Sequence, residues 1–181
     1  MLNFSYYTPT NVLFGTGTEC QVGKQVKAHG GTKVLLHYGS GSVIRSGLLQ
    51  KIQLALDAEG IAYVTLGGVV PNPRLSLVYQ GIALAREEQV NFILAVGGGS
   101  TIDSAKAIGY GVAGGGDVWD FFTNKRSVPG CLPIGVVLTL AATGSEMSSS
   151  CVITNEVTQA KLGCKSDSAR PKFAILNPEL T

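Results

Sequence analysis

A doubly wound parallel α/β sheet of the Rossmann-like kind is the fold class this sequence predicts, on three observations. Short apolar runs rich in β-branched residues recur at Lys33–Tyr38, Ile61–Leu66, Asn91–Val96 and Leu132–Leu138, the pattern of strands buried on both faces. Amphipathic helical stretches separate the first of these runs, and crossovers that long join strands in parallel. Glycine-rich turns at Gly39–Ser42 and Gly97–Gly99 follow the carboxyl ends of two runs, where ligands bind in such sheets.

The elements follow in chain order. Asn3–Phe14 mixes aromatic and β-branched residues around Thr8-Pro9-Thr10-Asn11 and reads as a short edge β-hairpin. Thr18 is placed to cap a helix running to about Lys27 and stopped by His29-Gly30-Gly31, with His29 at the helix's negative end. Beyond the first parallel strand, Ile44, Leu48, Ile52 and Ala55 mark the inner face of a second helix. The serines and glycines at its start either donate to an anion or simply turn the chain, with Ser42 as N-cap. His37 lies within the strand and reads as a packed core histidine. Gly67–Pro73 is a loop, and Leu75, Val78, Ile82 and Ala85 define the next helix, ending near Glu88.

Phe92–Val96, Gly97-Gly98-Gly99 and Ser100–Ile108 then read as strand, turn and helix. Glycines permit conformations and close approaches denied to other residues, at an entropic cost that a turn without a ligand does not require. Ser100 and Asp103 have capping-box spacing, and Ile102, Ala105 and Ile108 share a helical face. The free amides and positive dipole end of that helix point at the turn, an arrangement suited to the diphosphate of a nucleotide.

Gly109–Gly114 matches G-x-G-x-x-G but follows no strand, so it is not a dinucleotide fingerprint. Asp117–Phe122 is a short aromatic helical turn and Lys125-Arg126 a solvated loop. Thr139–Glu146 is rich in hydroxyls and small residues. Cys151–Thr154 and Ala160–Cys164 flank a polar turn and form an antiparallel hairpin, and Lys172–Leu176 is a last strand before Asn177-Pro178.

Length and composition bound what this protein does. At 181 residues, 45% hydrophobic and 14% charged with 24 glycines, the chain fits one domain, or one large half of something bigger, and can bury a sizeable core. A net charge of +2 leaves no footprint for nucleic acid, and no apolar run is long enough to span a bilayer. Cys20, Cys131, Cys151 and Cys164 lie far apart with no leader before them, which points to reduced thiols in a cytoplasmic setting. No nucleophile elbow, Walker A sequence or zinc motif is present, so phosphate cradling is the nearest thing to chemistry.

The stretch Gly97–Lys106 resembles the signature of the iron-containing (group III) alcohol dehydrogenases, especially their butanol dehydrogenase-like branch. Phe4–Gly15, Pro71-Asn72-Pro73, Leu138–Met147 and Phe173–Pro178 resemble further segments of that family, in family order. The resemblance implies a dehydroquinate synthase-like N-terminal domain over 1–181 that binds a nicotinamide dinucleotide. It also implies a helical half, absent from this chain, whose aspartate and histidines hold iron or zinc and act on an alcohol or aldehyde. It assigns Gly97, Gly98, Gly99 and Ser100 to the diphosphate and Asp103 to ordering the turn. Thr139, Leu140 and Thr143 fall to the adenine and ribose region, with Asn72 nearby, and Lys161 to a ribose contact or an exposed hairpin position. Gly39 stands where NAD-preferring relatives carry aspartate, so Gly39, Ser40 and Ser42 leave room and donors for a 2′-phosphate and imply a preference for NADP(H). The resemblance also implies a homodimer. A free-standing nucleotide-binding module, or a glycerol dehydrogenase-like or dehydroquinate synthase-like relative, is the alternative. As a fragment, the chain is expected to hold no metal and to be inactive alone.

Overall fold

The computed structural model describes every residue except 1, 2, 5, 6 and 40. Six parallel strands form the sheet: β1 (Asn11–Phe14), β2 (Lys33–Gly39), β3 (Ala62–Val69), β4 (Phe92–Gly97), β5 (Ile134–Leu138) and β8 (Phe173–Leu176), in the order β1-β8-β5-β4-β2-β3. Strands β6 (Ser150–Asn155) and β7 (Ala160–Lys165) make a separate antiparallel hairpin. The helices are α1 (Val22–Ala28), α2 (Ser42–Arg45), α3 (Leu48–Asp57), α4 (Leu75–Glu87), α5 (Gly99–Gly114) and α6 (Trp119–Phe122).

Alternation along the strands divides the core into two layers. Leu35, Ile93, Ala95, Val136 and Ala174 point to the side covered by α4 and α5, while Val34, Leu94, Val96, Val137 and Ile175 meet α1 and α3. Every residue of β4 is buried, as its unbroken apolar run requires. From β2 the chain goes to β3 on one side and then crosses to β4 on the other, so the sheet reverses direction between β2 and β4. That reversal opens a crevice at their carboxyl ends.

Several expectations are corrected. Among the described residues the opening segment gives no hairpin. Pro9 has no amide hydrogen to offer a ladder, Thr10 Oγ1 donates to Pro171 O (2.8 Å), and Asn11–Phe14 is drawn into parallel pairing with β8. Thr18 does not cap its helix; its hydroxyl donates back to Gly15 O, and the first turn, Thr18–Gln21, is a 3-10 helix. The helix after β2 is interrupted at Gly47 (φ 74°), which resets its phase, so Val43 is buried and Ile44 exposed. Arg126 is more than a solvated loop residue: its guanidinium donates to Gly114 O and Gly115 O and covers the Phe121 ring, closing the negative end of α5. The antiparallel hairpin is where the sequence puts it. It packs on α5 and is tied to the turn before α4 by Thr154 N donating to Pro73 O (2.9 Å).

Candidate functional site

The site is built from the ends of β2 and β4 and the first turn of α5. Gly98 is extended, α5 begins at Gly99, and the amides of Gly99 and Ser100 have no helical carbonyl behind them. The glycines here are needed for space rather than for left-handed backbone. A Cβ on Gly97 would collide with the Thr101 side chain, and one on Gly99 with the Thr143 hydroxyl. Leu140 lies over Gly98. Ser100 and Asp103 form no capping box, because Ser100 is inside the first turn and Asp103 is engaged elsewhere.

A cleft of about 320 Å³ runs between the two strand ends. Gly39, Gly41, Ser42 and Arg45 line one side, Gly98, Gly99, Ser100 and Leu140 the other, with Val69 and Pro71 between. Among its described lining residues there is no carboxylate, and Arg45 is the cation. Thus Gly39, Ser42, Gly98, Gly99, Ser100 and Leu140 are brought to one cleft. Ser40 lies outside the described residues.

The remaining candidates stand behind or beside it. Gly97 ends β4, where its carbonyl accepts from Thr139 N (3.2 Å); Thr139 lines a separate small cavity near Leu180. Thr143 packs on Gly99. Lys161 Nζ donates to Asn72 Oδ1 (2.8 Å), joining the hairpin to the turn after β3, and neither residue is part of the cleft lining. Asp103 accepts from Ser145 Oγ (2.6 Å) and Val152 N (3.1 Å); burial raises its pKa while these two bonds oppose the rise.

Sequence reasoning missed Arg45, although it lies one turn after Ser42 on the helix that leaves the glycine turn. It also missed Lys106, which is fully buried beneath the site. Burial pulls the Lys106 ammonium down to about 8, against the opposing pull of Asp103. His37 is packed as expected, with Nδ1 2.8 Å from Leu66 O and Nε2 2.9 Å from Ser104 Oγ. A carbonyl can only accept, so Nδ1 carries the hydrogen and Nε2 accepts from Ser104; burial pushes the imidazole down to about 4.

Fold and site together define a doubly wound, Rossmann-like α/β domain with a cleft where its sheet reverses. Residues 9–178 match the family model of iron-containing alcohol dehydrogenases, and the chain belongs to that family. It is 50% identical over its whole length to the probable NADH-dependent butanol dehydrogenase 2 of Bacillus subtilis, covering 46% of that protein. It is 37% identical, again over its whole length, to the NADPH-dependent aldehyde reductase YqhD of Escherichia coli, with 46% of that chain covered. The crystal structure of the NADH-dependent butanol dehydrogenase A of Thermotoga maritima superposes with a TM-score of 0.96 at 43% identity, over 98% of this chain and 45% of the other. The chain therefore spans about half the length of the relatives it matches.

The family's metal does not fit the residues described here. Among them no three His, Cys, Asp or Glu side chains come together as a metal would need, and no step is assigned to a metal on this chain. No helix among the described residues is long and apolar enough to cross a membrane.

Proposed function

We propose that residues 1–181 are the nicotinamide-dinucleotide-binding half of an alcohol dehydrogenase or aldehyde reductase. The observation that carries this reading is the cleft at the sheet's reversal point, where the free amides of α5 face a carboxylate-free opening. The diphosphate lies against Gly98, Gly99 and Ser100, with Gly97 and Thr143 supplying the close packing that shapes the turn. Leu140 offers an apolar surface beside Gly98, Thr139 fixes the end of β4 through Gly97 O, and Asp103 holds Ser145 and Val152. The bound nicotinamide accepts or delivers hydride; this chain's residues bind and orient it.

The cofactor preferred in this reading is NADP(H). Gly39 puts no acid at the end of β2, the space around its missing Cβ is open to 3.8 Å, and Ser42 and Arg45 can hold a 2′-phosphate. The butanol dehydrogenases named above carry NADH in their names and the aldehyde reductase NADPH. Titration with NADPH and NADH, followed by cofactor fluorescence, tests the preference directly. NADPH binds at least about tenfold tighter, and Gly39→Asp, which fits sterically, reverses the order. Equal or tighter binding of NADH by the unmodified protein refutes the preference.

An alcohol or aldehyde as substrate, a cytoplasmic location and a homodimer complete the proposal. All four cysteines are free thiols, which suits a reducing compartment. Exposed Val12 and Phe14 on the edge strand β1 suit self-association.

A further inference from the structure

Lys106 lies seven residues, about two turns, beyond Gly99 on α5. Its ammonium does not line the cleft. It is fully buried, and its three N–H groups are shared among five oxygens within hydrogen-bond distance: Ser145 O (2.7 Å), Ser148 O (2.8 Å), Ser150 O (2.9 Å) and the hydroxyls of Ser145 (3.0 Å) and Ser148 (3.2 Å). All five oxygens come from one segment, 145–150, which has little regular structure of its own. The same segment backs onto a residue of the cleft lining: Ser145 N donates to Thr143 Oγ1 (3.4 Å), and Thr143 packs on Gly99. Ser145 Oγ also joins the two charges, accepting from Lys106 while donating to Asp103. One rigid helix thus carries the cradling amides at its first turn and, further along, the two groups that hold the segment packed behind that turn.

We propose that Lys106 is a positioning residue for the dinucleotide: its ammonium folds residues 143–150 into the wall beside Gly99 and acts through Ser145 and Thr143, without touching a phosphate. A buried ammonium surrendered by water is retained only where oxygens replace that water, and here every replacement belongs to the wall. The inference rests on the reading of the cleft as a dinucleotide site.

The two ends of the cleft allow a test that separates positioning from general stability. Adenosine 2′-monophosphate has the adenosine and the 2′-phosphate but no 5′-phosphate, so it lacks both the bridging diphosphate and the nicotinamide and probes the Gly39 side alone. Lys106→Met keeps length and removes the charge. The expected result is NADPH binding weakened by at least about tenfold with adenosine 2′-monophosphate binding held within about twofold. Ammonium or methylammonium added to Lys106→Ala restores NADPH binding in part, by returning a cation to the carbonyls. Should the lysine variants fail to fold, Ser145→Ala, which removes a single oxygen from the wall, shows the same split at about threefold or more. Unchanged NADPH affinity in a folded variant, or equal losses for both ligands, overturns the inference. If the unmodified protein binds neither ligand, the dinucleotide reading fails and this inference with it; if it binds both and the split is missing, this inference fails alone.

Discussion

At the residue scale, His37 shows how a titratable group can be spent on packing. It bridges β3 and α5 as a neutral imidazole, with a pKa lowered by burial from an ordinary 6.5 to about 4. Between those values the unfolded chain binds a proton that the folded chain refuses, so stability is lost as pH falls from about 6.5 to about 4. The full difference corresponds to about 3 kcal/mol, of which about 2 kcal/mol is lost between pH 7 and pH 5. His37→Gln can still donate to Leu66 O and accept from Ser104, and it removes that titration. Urea denaturation at pH 7 and pH 5 measures both proteins. Asp103, whose raised pKa acts in the opposite sense, is common to both and cancels in the comparison. An undiminished pH dependence in the variant contradicts the assignment. The thiols make a second residue-scale prediction. Cys20 is exposed, whereas burial raises Cys131 to about 12 and Cys151 well above its usual value. A thiol reagent added to the native protein modifies Cys20 rapidly and these two only after denaturant; equal rates contradict this.

At the element scale, the β6–β7 hairpin is tied to α4 by a carboxylate from outside the helix. Arg74 provides no side-chain cap, and Glu156 from the hairpin turn accepts instead from Ser76 N (3.1 Å) and Ser76 Oγ (2.7 Å). Glu156→Ala therefore costs about 1 kcal/mol, the usual loss for a helix cap, and raises amide exchange in both the hairpin turn and the first turn of α4. Exchange raised in the hairpin alone contradicts a shared clip. Most elements were legible in the sequence, because buried parallel strands and helix faces such as Leu75, Val78, Ile82 and Ala85 carry strong periodicity. Two failures came from short pieces whose fate is decided elsewhere in the chain. Asn11–Phe14 has no intrinsic partner preference, and β8, about 160 residues later, captures it. In the other, Gly47 could as well sit inside one long helix as break it, and only packing of Val43 and Leu48 decides.

At the scale of the whole molecule, the glycine turns predicted a ligand cleft because strand ends and helix starts are written locally. They did not predict which neighbours close it. Arg45, the Lys106 cage and the pairing of Asn72 with Lys161 depend on the packing of segments tens of residues apart, which spacing alone does not encode. The open side of β1 carries Val12 and Phe14 outward, and the proposed dimer uses that edge. Light scattering over a concentration series gives a dimer for the unmodified chain and a monomer for Phe14→Asp; a monomer throughout contradicts the proposal.

The central claim is that a nicotinamide dinucleotide lies between the ends of β2 and β4 over the first turn of α5. Titration of isotope-labelled protein with NADPH, followed by amide resonances, tests it most directly. Saturable shifts concentrated at Gly41, Ser42, Gly98, Gly99 and Ser100, with the hairpin tip at Val157 unaffected, are the predicted result. Shifts that spare the α5 first turn, or that cluster at another surface, contradict the account.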